Sequence, residues 1–184
     1  MIKVSRTAMS VLMSAVSALS LAVLGPTGTA SAGVLDVTCA PPSSRSTTYT
    51  PPLTVAPQDV TVQTTAQYGP CVSLSNPALT SGSRTSTVLA PGFGCLDLLA
   101  AGSFTYPIVW NTGQTSTISA NYTSTIVGAA LVITNTGTVT AGLFTGSTVV
   151  QVITGPATDV LLCTAGLGTV SSIYSVITLE ITST

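Results

Sequence analysis

Apolar and polar residues alternate along much of this chain, a period-two pattern that sets successive side chains on opposite faces of an extended strand. The pattern is clearest from Ser103 to Tyr122. Phe104, Tyr106, Ile108 and Trp110 fall on alternate positions, and Ile118, Ala120 and Tyr122 do so again beyond the turn Asn111-Thr112-Gly113-Gln114. The stretch predicts a β-hairpin. It holds the only Trp and three of the eight other aromatic residues, so it should supply a large share of the buried surface.

Other strands follow from the same signal. Val34–Cys39 alternates weakly, Asp59–Thr65 sets Val60 and Val62 against Thr61 and Gln63, and Cys71–Ser75 and Thr85–Leu89 are shorter. Ser124–Thr134 is a β-branched run in which Gly128 predicts a bulge or a close backbone contact, and Asn135-Thr136-Gly137 reads as a hairpin loop. Val139, Ala141 and Leu143 alternate before the Thr145-Gly146 turn. Ser147–Thr154 and Val160–Cys163 follow, and Ile173, Ser175, Ile177, Leu179 and Ile181 share one face of a long closing strand. Helix propensity concentrates only in Cys95–Gly102, enough for one or two turns. Pro41, Pro42, Pro51, Pro52 and Pro57 cannot donate to a ladder, so Ala40–Pro57 reads as edge strand or extended connection. Nine or ten short strands with tight turns suggest a sandwich or a barrel.

The first 32 residues stand apart. Lys3 and Arg6, the apolar run Ala8–Leu24, the break at Gly25-Pro26 and the small residues Ala30-Ser31-Ala32 make a secretory signal peptide, with cleavage expected after Ala32. Residues 33–184 then form a single secreted domain of ordinary size, with no later segment near the length of a membrane span. Arg45 and Arg84 are its only bases. Against Asp36, Asp59, Asp97, Asp159 and Glu180, two bases and five acids give a net charge of −3. Such a surface has no footprint for nucleic acid, which needs Lys and Arg to neutralise phosphates.

Four cysteines in an exported chain predict two disulfides among Cys39, Cys71, Cys95 and Cys163. A four-cysteine zinc site would show two close pairs; here the nearest two are 24 positions apart. Three pairings are open. Cys39–Cys71 with Cys95–Cys163 is favoured because each closes a loop between predicted strands.

Absent residues limit the chemistry. Without His there is no Ser-His-Asp or Cys-His nucleophile and no imidazole metal site, and without Lys beyond residue 3 a Ser-Lys dyad or Schiff base is excluded from the secreted domain. The acids are scattered, with no paired arrangement near an aromatic platform and no dense calcium loop. We expect no enzyme, no cofactor and no metal. Trp110, Tyr106 and Tyr122 are the binding candidates, as a carbohydrate-stacking or inhibitory groove. Their alternation with Phe104 and Ile108 favours a core role, with Trp110, beside the turn, the member with most scope for exposure. Asn121-Tyr122-Thr123 fits a glycosylation acceptor.

Asp59-Val60-Thr61-Val62, Tyr68-Gly69-Pro70-Cys71, Cys95-Leu96-Asp97-Leu98-Leu99 and Trp110-Asn111-Thr112-Gly113-Gln114-Thr115-Ser116-Thr117 together resemble a group of small secreted actinobacterial proteins of unassigned function. The resemblance implies an exported, disulfide-linked, antiparallel immunoglobulin-like β-sandwich, here of about nine strands with one short helical turn. The chain is also similar in kind to small adaptor subunits of secreted toxin particles, with Ala40–Pro57 as the inserted arm. The expected role is a binding or structural module outside the cell, meeting a protein partner or a cell-wall polymer.

Overall fold

The computed structural model describes residues 35–184. The predicted signal peptide lies outside the described residues. The chain runs through β1 (Leu35–Cys39), β2 (Ser44–Leu53), β3 (Gln58–Tyr68), β4 (Cys71–Val72), β5 (Gly82–Phe93), a 3-10 turn (Cys95–Leu99), β6 (Gly102–Trp110), β7 (Thr115–Val127), β8 (Ala130–Gly142), β9 (Thr148–Pro156), helix α1 (Thr158–Thr164) and β10 (Val170–Thr182).

Every pairing is antiparallel, and the order β2-β3-β5-β6-β7-β8-β9-β10 is that of the chain itself. β10 then pairs back onto β2, with Ser172 opposite Thr48 and Val176 opposite Ser44. The sheet therefore closes into an eight-stranded barrel, and the expected sandwich is corrected. A sandwich needs strands that cross between two stacked sheets. Here each strand meets its successor and the last meets the first, so the apolar face wraps onto itself. β1 continues the line of β2 beside the far half of β10, and β4 pairs with β1 at Cys39 and Cys71.

The proline-rich segment is also corrected. Ser44–Leu53 is a wall of the barrel, paired on one side with β3 and on the other with β10. Pro51 and Pro52 fit because they fall where the β10 register jumps from Thr48 to Leu53. Donating this segment to a partner would open two ladders. Gly128 is the turn between β7 and β8, with φ +60, and Asn135-Thr136-Gly137 runs through the middle of β8. Gly137 is there because a side chain would run into the Ser119 carbonyl and Ala120 of β7. Val160–Cys163 is helical, its Val160 and Cys163 turned into the core.

Both disulfides join the favoured pairs. Cys39–Cys71 links β1 to β4 (Cα–Cα 4.0 Å), and Cys95–Cys163 ties the 3-10 turn to α1 (Cα–Cα 6.0 Å). Two apolar clusters fill the barrel ends. One gathers Trp110, Tyr68, Ile108, Ile118 and Leu179. The other gathers Leu53, Val60, Leu131 and Val170 under α1 and the 3-10 turn. Outward positions of the long strands are mainly Thr and Ser, as in Thr134, Thr136, Thr138 and Thr140 of β8. This is the reverse of a transmembrane barrel, which carries its apolar band outside. Among the described residues no helix is long and apolar enough to cross a membrane.

One ladder is incomplete. β5 and β6 pair only at Gly82–Trp110 and Ser83–Val109, although both strands continue well beyond. Asn111 donates its N–H to Ser81 on the β5 side while Trp110 donates to Gln114 on the β7 side, so alternate residues of β6 address alternate neighbours. Pro107 has the parity of Val109 and Asn111. It has no N–H to offer where the next rung to β5 would form, and the ladder stops.

Candidate functional site

Between the two apolar clusters the barrel is not filled. A partly open cavity of about 220 Å³ lies there, reaching from β2 and β3 across to β8 and β10 and out to the 3-10 turn. Tyr49, Phe93, Phe104 and Tyr122 supply aromatic wall, and Val62, Leu131, Ile133 and Ile173 aliphatic wall. Arg45 of β2 and Arg84 of β5 line the same space. Strand parity puts them there: Arg45 shares the inward face with Thr47 and Tyr49, and Arg84 lies two residues beyond the buried Gly82.

Arg84 sits at the β5–β6 seam. Its guanidinium carbon is 4.2 Å from the centre of the Tyr106 ring and 5.4 Å from that of Phe104, a cation–π arrangement across the gap. Its Nε is buried without a hydrogen-bond partner. Burial holds its ionisation below the usual arginine range, with Arg45 pressing in the same direction and Tyr68 and Tyr106 opposing. No carboxylate is among the groups that act most strongly on it. Asp97, at the outer edge of the cavity, accepts the Gly94 N–H at 2.8 Å and thereby caps the 3-10 turn. Arg45 donates from Nε to Thr47 Oγ1 at 2.9 Å.

Below the cavity a polar network spans the barrel. Gln151 of β9 donates to the Tyr68 hydroxyl (3.0 Å), and its Oε1 accepts from Tyr106 (3.2 Å) and from Asn135 Nδ2 (2.7 Å). That fixes the orientation of the Asn135 amide and leaves Oδ1 buried with no partner in the protein. The Tyr68 and Tyr106 hydroxyls are both pushed up by burial, so they remain neutral donors and acceptors.

The sequence-derived candidates separate. Tyr122 is half-buried on the cavity wall, its ring edge-on to Phe104 at 5.7 Å and resting over Gly102, where a side chain would collide with it. Tyr106 is 1% exposed, stacked on Phe104 at 5.0 Å. Trp110 is 2% exposed and belongs to the end cluster, where its indole N–H donates to Ser116 Oγ at 2.8 Å. A sugar could not stack on Trp110 without opening that end of the barrel. Asn121 is exposed. Asp36 and Asp59 are held in local structure, accepting from Ser147 Oγ (2.7 Å) and the Gly92 N–H (3.1 Å). Among the described residues no cluster of His, Cys, Asp and Glu is placed to hold a metal ion.

Sequence reasoning missed Arg45 and Arg84. The signal was present, since both fall on the inward parity of strands whose other inward positions are apolar or small. No protein family, curated protein or solved structure matches the chain.

Proposed function

We propose that the protein is an exported, non-catalytic binding module whose ligand site is the cavity inside the barrel. The placement of charge carries this reading. The only two bases after residue 32 both line one interior space, and no carboxylate is among the groups that act most strongly on Arg84. A barrel selected for stability alone would fill that layer with aliphatic side chains, because partly burying a cation away from water and carboxylates is costly. A few charged and polar residues converging on a cavity with apolar walls are the usual signature of a ligand site. The residue 1–32 pattern and the two disulfides support export. The lack of His after residue 32, and of Lys, supports a binding role over catalysis.

Methyl-resolved NMR tests the site with three compact probes, benzene, benzamide and benzoate. At least one should give saturable shifts at Val62, Leu131, Ile133 and Ile173, and Ile133→Trp, which fills the space, should abolish them. If none of the three moves these methyls, the interior is not a binding site.

A further inference from the structure

Resting on that reading, we infer that the occupant is a small organic carboxylate: one flat anionic group on a compact apolar body, bound with its charge at Arg84 and Arg45 and its body against the aromatic wall. Size, charge and wall chemistry each narrow the class. An engineered cavity of about 150 Å³ holds benzene; by proportion, the cavity of about 220 Å³ here holds a body of about nine non-hydrogen atoms, the size of benzoate. Long acyl chains and oligosaccharides are too large to be enclosed.

The charge requirement comes from the arginines. Arg84 lines the cavity with a guanidinium already oriented by two rings, and Arg45 lines it from β2. An arginine fork matches a carboxylate in plane and spacing. Cations are disfavoured by both guanidinium groups, and a neutral ligand leaves their charge uncompensated.

The walls exclude a bare inorganic anion. Phosphate or sulfate would face Phe93, Phe104, Leu131, Ile133 and Ile173 with unsatisfied oxygens and would leave that apolar surface uncovered. An aromatic body suits this lining better, since Phe104 and Tyr122 already meet edge to face at 5.7 Å and offer ring surfaces to a third partner.

The test compares isosteres on the full secreted domain by calorimetric or NMR titration. Benzoate and benzamide have nearly the same shape and differ in charge. Benzoate should bind about tenfold or more tightly than benzamide, the size of one charge-assisted hydrogen-bond pair, and inorganic phosphate should not compete. In Arg84→Met the ratio of benzoate to benzamide affinity should shrink to within about twofold; Arg45→Met, the second variant, should lower the ratio in part. Equal binding of benzoate and benzamide by the native protein overturns the carboxylate class while leaving the cavity reading intact. So does phosphate competing as well as benzoate, or a preference that survives both substitutions. If benzene alone binds, the carboxylate class falls and the cavity reading stands; if none of benzoate, benzamide and benzene binds, the cavity reading itself is lost.

Discussion

Arg84→Met should make the empty protein more stable. Two effects oppose each other at this residue. The guanidinium leaves its Nε buried and unpartnered, a penalty of about 1–3 kcal/mol for an orphaned polar group and more where it is charged. Against this, the contacts with the Tyr106 and Phe104 rings at 4.2 and 5.4 Å return about 1–2 kcal/mol in a partly desolvated site. Met has a similar length, needs no acceptor and keeps part of the ring contact through its sulfur. The net expectation is a gain of about 1 kcal/mol, which corresponds to a rise in Tm of about 2–4 °C for a domain of this size. Urea unfolding with an unchanged m-value, in a buffer free of carboxylates and other organic anions, measures it. Arg84→Ala is a poor substitute because it adds a void. With benzoate at about 100 times its Kd, the native protein should gain about 2.7 kcal/mol and overtake the variant. A loss of 1 kcal/mol or more in the empty Arg84→Met protein would mean that the guanidinium is a structural member of the barrel, and the charge argument for the cavity would fall.

Four further outcomes follow from the packing. Gly137→Ala would push a methyl into the Ser119 carbonyl and Ala120 on β7 and should cost about 3 kcal/mol or more, read from the denaturation midpoint. Ser116→Ala strips the Trp110 indole of its acceptor and frees the Leu143 carbonyl, for a loss of about 1–3 kcal/mol with a changed Trp emission. Replacing Cys95 and Cys163 together by Ser opens a loop of sequence separation 68 and should cost about 4 kcal/mol by chain entropy, measured by guanidinium unfolding. Burial pushes the Tyr49 hydroxyl from 10.0 up to about 12. Below pH 10 both folded and unfolded chains keep this proton and the contribution is complete; between pH 10 and about 12 only the unfolded chain releases it, so Tyr49 alone should lower stability by about 3 kcal/mol across that window, with Tyr68 and Tyr106 adding to the fall. Tyr49→Phe should make the fall shallower.

The hairpin over Ser103–Tyr122 was legible because its alternation, its turn residues and its aromatics agree. The closing strand was legible for the same reason. Closure was not, because alternating residues look the same whether they face an opposite sheet or an opposite wall. It depends on β10 reaching β2, a pairing with no local trace, and the prolines at 51 and 52 pointed away from it. Asn135-Thr136-Gly137 copies the chemistry of a hairpin turn, yet Asn135 is polar to join Gln151 inside the barrel and Gly137 is bare to let β7 approach. Aromatic content pointed to Trp110 as a site residue, whereas the site is defined by the scarcer charged residues. Reading the strand parity of Arg45 and Arg84 would have found it, and Pro107 in the middle of a strand was the available sign of the broken β5–β6 ladder.

The last strand has a further consequence, in time. β10 is the common neighbour of β9, β2 and β1, and Val170 meets Leu53, 117 positions back along the chain. A chain delivered from its amino end holds most of its strands before any of them has a closed surface to face. Contacts this distant form late. Until residues 170–182 arrive, the wall opposite Arg45 is missing, and the space it lines is open to water. The enclosure of Arg45 is completed only at closure, when the whole remaining fold is there to bear its cost.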